Sequence, residues 1–192
     1  MKKLFWGFFF IYLNFNLNFN QHSLNVLPDF WGYILLMKGM QELADESSLF
    51  EKARPFAAGM AVYTGVLWVG ALLGIASEGG WIAEILNLVA TVIGLYVSWV
   101  LIQGVLEVEG TRGADLNGER LLTLWKALVA VQIVTQILRV MLNLSNVSVL
   151  AAFSVLLIIA GLIVIVMYLI AWKKAAENWE ARSENLSGFE ME

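Results

Sequence analysis

The sequence predicts an all-α fold, a bundle of six transmembrane helices, and three observations carry that prediction. The chain is 59% hydrophobic, 12% aromatic and only 15% charged, where a soluble domain carries roughly 25% charged residues. At about 20 residues per crossing, its apolar runs fill the 192 residues with six spans and short loops, leaving no room for a separate soluble domain. Threaded with the amino terminus inside, those spans send Lys2, Lys3, Lys38, Lys52, Arg54, Arg112, Arg120, Lys126, Lys173, Lys174 and Arg182 to one face. Only Arg139 of the 12 cations is left near the other. By the positive-inside rule the cationic face is cytoplasmic, and both termini lie there.

The first span is expected over 4–19. Lys2 and Lys3 ahead of an apolar run resemble the start of a secretory signal, but no small-residue cleavage site follows, so the segment is read as retained. Its outer half alternates Asn14, Asn16, Asn18 and Asn20 with Phe15, Leu17 and Phe19, which is the period of a strand. The run either leaves the helix near Asn14 and extends, which bare backbone tolerates only within protein or near water, or ends as an interfacial helix with wetted amides. The second is the simpler arrangement and sets the span.

Pro28 and Asp29 open a short second span over 28–40, with a proline suited to the first turn and an acid beside the positive end of the helix dipole. Lys38 snorkels from it to the inner surface; a re-entrant course for this span is the alternative. A charged linker over 45–54 leads to Pro55 and a third span over 56–77. There Ala57, Ala61 and Gly65 recur each turn, and Gly70 and Gly74 form a GxxxG pair suited to close helix packing. Glu78-Gly79-Gly80 makes an outer turn, a fourth span runs over 81–106, and a polar inner loop follows over 107–120. That loop matches neither a phosphate-binding loop nor a calcium loop. Spans five and six cover 121–142 and 147–172, and an acidic cytoplasmic tail occupies 173–192, helical for two turns and frayed beyond.

Leu36-Met37-Lys38-Gly39-Met40-Gln41-Glu42 resembles Leu101-Ile102-Gln103-Gly104-Val105-Leu106-Glu107, and Lys173 with Glu177 echoes its end. Three helical hairpins in tandem would produce such a repeat.

Composition also bounds the chemistry. A net charge of −4 argues against nucleic acid as a partner. Without cysteine, and with His22 as the only histidine, no thiol nucleophile, disulfide or histidine-rich metal site is expected. No catalytic or cofactor motif is present, so the chain reads as a non-enzyme without a cofactor or metal. The Asn-x-Ser matches at Asn143 and Asn146 fall in a tight turn at the membrane and carry no weight.

One polar site stands out. At about 100° per residue, Glu84, Asn87, Thr91 and Ser98 share a face of the fourth span, while Gln132, Gln136, Arg139 and Asn143 share a face of the fifth. Such stripes face neighbouring helices or water rather than lipid. Glu84, Arg139 and Asp29 lie at similar depth near the outer surface. The candidate binding site is therefore a polar cavity of Asp29, Glu84, Asn87, Thr91, Gln132, Gln136 and Arg139, with Arg139 as an anion-binding or gating group. The competing reading is a structural ion pair with interhelical amide bonds.

The run Leu27-Pro28-Asp29-Phe30-Trp31-Gly32-Tyr33-Ile34-Leu35-Leu36, with Leu4-Phe5-Trp6-Gly7-Phe8-Phe9-Phe10 and the 49–56 linker, resembles a group of small multi-span membrane proteins of Gram-positive bacteria. The resemblance covers the first third of the chain and implies a plasma-membrane location; the group brings no established activity. Size and span number are similar to those of the substrate-binding subunits of energy-coupling-factor vitamin transporters. Ala57-x-x-x-Ala61 resembles that family's helix-docking motif, here in the third span rather than the first. The function expected is small-solute binding or transport in the lipid bilayer. The alternative is a structural or regulatory subunit with a protein partner.

Overall fold

The computed structural model describes residues 1–12, 16–19, 22–25, 28–73, 81–144 and 148–189. Among these lie six helices, α1 (Lys2–Tyr12), α2 (Asp29–Glu42), α3 (Ser48–Leu72), α4 (Trp81–Arg112), α5 (Gly118–Leu144) and α6 (Ser148–Phe189), and a two-stranded hairpin of β1 (Asn16–Phe19) and β2 (His22–Asn25). Each helix packs on its predecessor, and α6 returns to α1, so the six close into a ring.

The predicted helix over 4–19 is corrected by this hairpin. Helix α1 stops at Tyr12, and β1 pairs antiparallel with β2 from Asn16↔Asn25 to Phe19↔His22. The alternation of Asn with Leu and Phe extends the backbone, and strand pairing supplies hydrogen bonds that an isolated extended segment would lack. With 11 residues in α1 and 14 in α2, these helices reach only about 16 and 21 Å, short of a hydrocarbon core of about 30 Å.

Helices α1 and α2 run antiparallel with backbones in near contact. A Cβ placed on Gly32 would stand 2.7 Å from the Gly7 carbonyl oxygen, and one on Gly39 would stand 2.7 Å from a Leu4 methyl. The expected close packing at Gly70 and Gly74 involves Gly74, which lies outside the described residues. Other boundaries also shift. Helix α3 begins at Ser48, so Pro55 stands inside it rather than at its start. Ser47 supports this earlier start by accepting the Leu49 N–H at 3.2 Å, an N-cap bond.

Helix α4 continues past the predicted 106 to Arg112, and α6 runs unbroken to Phe189, well beyond the two turns expected of the tail. Tertiary contacts hold that extension: Asn178 donates to the Asp115 carbonyl at 2.7 Å, Lys2 pairs with Glu180 at 2.6 Å, and Arg182 donates to the Arg112 carbonyl.

These contacts define one charged end of the ring. Lys3 pairs there with Glu42, Arg112 with Glu46 at 2.9 Å, and Ser47 donates to Glu107 at 2.6 Å. The largest fully buried side chains, among them Trp172, Tyr168, Phe50, Leu36 and Leu101, fill the half of the bundle nearest this end. Toward the far end the helices turn large apolar residues outward, including Val66, Leu73, Leu88, Ile137 and Leu156. That is the surface expected of protein solvated by lipid rather than water. Three described stretches, Ile85–Arg112, Gly118–Leu138 and Phe153–Ser183, are long and apolar enough to cross a membrane.

The weak repeat has a structural counterpart in two hairpins. Gly39 of α2 lies under Leu4 of α1, and Gly104 of α4 lies under the Phe50 ring of α3. Glu42 and Glu107 each tie back to the start of the preceding helix, through Lys3 and Ser47. The third hairpin lacks the feature, since aligning Lys173 with Lys38 puts an exposed Lys174 at the glycine position.

Candidate functional site

At the centre of the ring, away from the charged end, lies a cavity of about 690 Å³ lined by residues from all six helices. Its deeper wall is built from the buried side chains of Phe8, Leu36, Val97 and Leu128, and its rim carries the exposed Asn87 and Gln132. The volume falls in the range of about 300–1,000 Å³ typical of small-molecule sites.

Five of the seven residues expected from sequence line this one cavity: Asp29, Asn87, Thr91, Gln132 and Gln136. The helical repeat explains why. Asn87 and Thr91 are one turn apart on α4, Gln132 and Gln136 one turn apart on α5, and the contact between the two helices brings both stripes to the same space. Asp29 stands in the first turn of α2, beside the positive end of the helix dipole. The side chains of Glu84 and Arg139 lie outside the described residues. Their helices place both backbones one turn beyond Asn87 and Gln136, further from the charged end.

Sequence reasoning did not place two further contributions in the cavity, although the resemblance had singled out Tyr33 beside Asp29. Tyr12, Tyr33 and Tyr63 also line the cavity, with Tyr33 one turn after Asp29 on α2. A Cβ on Gly94 would come within 3.1 Å of the Tyr33 hydroxyl, so a glycine on α4 makes room for that phenol. The second contribution is Thr64 and Thr135. Like Thr91, each donates its hydroxyl proton to the carbonyl one turn back, to Met60 at 2.7 Å and Val131 at 2.8 Å, with Thr91 to Asn87 at 2.8 Å.

Ser98, predicted on the polar stripe of α4, is buried one turn below Gly94 and serves a structural bond. Trp125 of α5 donates its indole N–H to Ser98 Oγ at 2.9 Å, while Ser98 donates to the Leu95 carbonyl at 2.9 Å. Closure of the ring between α1 and α6 is aromatic: Phe8 and Trp172 ring centres are 4.8 Å apart, and Tyr12 meets Tyr168 edge to face at 5.7 Å. These contacts hold Phe8 and Tyr12 where they line the cavity.

The cavity presents oxygen acceptors and amides on one side and aliphatic side chains on the other. No group of three or more His, Cys, Asp and Glu able to hold a metal ion occurs among the described residues. Comparison of the chain with protein-family models, curated proteins and solved structures finds no match to any of them.

Proposed function

We propose that this chain is a multi-pass protein of the bacterial plasma membrane that binds a small amphipathic solute in its central cavity, as the solute-binding component of a transport system. The observation that carries the reading is the convergence of two polar stripes, Asn87 with Thr91 and Gln132 with Gln136, on one cavity lined by all six helices. Polar side chains in membrane helices are expensive unless they pair or face a cavity, and a set that meets around open space marks a solute path by default.

In this reading α4, α5 and α6 cross the bilayer, and α3 makes a fourth crossing with its uncharged stretch from Pro55 onward. Helices α1 and α2, joined through the β-hairpin, enter from the cytoplasmic face and return to it. Both termini are then cytoplasmic whether or not that pair reaches the far surface. The pairing of Lys2 and Lys3 with Glu180 and Glu42 supports a common side for the chain start and the ends of α2 and α6.

The test is recovery of solute. Native mass spectrometry of the protein in mild detergent is expected to show a bound small molecule. Leu157→Trp, which fills the cavity from α6, is expected to abolish it, and Asn87→Leu with Gln132→Leu to lower its occupancy at least tenfold. Equal occupancy in all three proteins would defeat the proposal.

A further inference from the structure

Extending the solute reading, on which this inference rests, we propose that the cavity takes a small amphipathic amine, bound as its ammonium ion with the hydrocarbon body against α6. The hydroxyl protons of Thr64, Thr91 and Thr135 are already given to carbonyls of their own helices, at 2.7, 2.8 and 2.8 Å. A hydroxyl has one proton and two lone pairs, so these three side chains offer the cavity acceptors only.

Charge points the same way. Asp29 is the only Asp, Glu, Lys, Arg or His among the described lining residues. It already engages a partner within the protein, and a carboxylate with about four acceptor positions keeps capacity for a second donor. Tyr12, Tyr33 and Tyr63 add aromatic rings, whose faces attract cations, more strongly where water is excluded. The α6 wall is hydrocarbon throughout, from Leu157 and Ile158 to Leu162 and Ile165. An ammonium group has donors and no acceptor, matching the first wall, and its carbon chain matches the second. A carboxylate solute would find donors in the amides of Asn87, Gln132 and Gln136 and in the phenols, but it would meet the acceptor-only threonines and the negative charge of Asp29.

Three probes of one shape separate charge from fit: 4-phenylbutylammonium, 4-phenylbutanol and 4-phenylbutyrate, titrated calorimetrically at neutral pH into the full-length protein in detergent. The ammonium ion is expected to bind at least tenfold more tightly than the alcohol, with the carboxylate weakest. Asp29→Asn is expected to bring ammonium and alcohol within about threefold. Leu157→Trp is expected to block all three.

If alcohol binds as well as ammonium and Leu157→Trp blocks both, the amine assignment fails while the cavity remains a solute site. Tightest binding of the carboxylate overturns the assignment in favour of Arg139 as an anion-binding group. An unchanged ammonium preference in Asp29→Asn removes Asp29 from the site and with it the proposal. Binding that Leu157→Trp does not affect, or no binding by any probe, defeats the assignment, and loss of the copurified solute in Leu157→Trp then decides separately whether the cavity reading survives.

Discussion

A single methyl group at position 32 would have to occupy space held by the Gly7 carbonyl oxygen and an Ile11 side-chain carbon, each 2.7 Å from where it would stand. One of those neighbours is backbone, which cannot rotate aside, so α1 and α2 would have to separate. Gly32→Ala is expected to destabilise the detergent-solubilised protein by about 1–3 kcal/mol, the usual range for overpacking, read as a lowered Tm. Gly59→Ala, where a Cβ meets nothing within 4 Å, is expected to be neutral or mildly stabilising because Ala is the better helix former. A Gly32→Ala protein as stable as wild type would contradict the close approach. At this scale the site was partly legible in the sequence. Asn, Thr and Gln repeating every turn in apolar helices leave few options but an inward face. The tyrosines carry no such signal, because aromatic residues serve lipid faces, interfaces and cores alike.

Helix boundaries were harder to read than helix faces, for reasons visible in particular contacts. Residues 107–112 look like the start of a polar loop, yet they stay helical because Glu109 has work at the turn: its carboxylate accepts the Leu116 N–H at 2.6 Å and the Gly118 N–H at 2.9 Å. Gly113 follows with a positive φ of 61° and donates to the Glu109 carbonyl at 2.9 Å, closing α4 with a left-handed residue. Asn117, at φ 58°, turns the chain into α5, and Asn tolerates that region better than most residues. None of these bonds follows from hydropathy, since a polar residue reads the same whether it is solvated or capping. The α6 extension was missed for a similar reason: its charges suggested fraying, but Glu180 pairs with Lys2, Arg182 donates to the Arg112 carbonyl and the Asn178 amide donates to the Asp115 carbonyl. Glu109→Ala would leave two amide donors without their acceptor and is expected to lower stability by about 1–3 kcal/mol. Glu109→Gln keeps an acceptor oxygen and is expected to recover about half of that loss. Equal Tm for Glu109→Ala and wild type would show that the turn does not depend on the carboxylate.

At the scale of the whole molecule, charge and topology constrain each other. The ring brings the starts of α1, α3 and α5 and the ends of α2 and α4 to one end, along with the α6 extension. Every helix therefore reverses the direction of its predecessor. The number of full crossings made by α1 and α2 does not alter this parity, because the pair begins and ends at the charged end. Short first and second helices are therefore compatible with the eleven-to-one division of cations that six full crossings suggested. The expected orientation puts the charged end in the cytoplasm. With no cysteine in the chain, single cysteines report without background. Glu51→Cys and Ser183→Cys replace exposed residues at the charged end, and Leu73→Cys and Trp81→Cys replace exposed residues at the other. In intact cells an impermeant maleimide is expected to label positions 73 and 81, and to reach 51 and 183 only after lysis. Labelling of 51 and 183 alone would invert the protein while leaving the ring intact. Labelling that separates 51 from 183 would break the ring itself, because the charged end would then be divided by the bilayer.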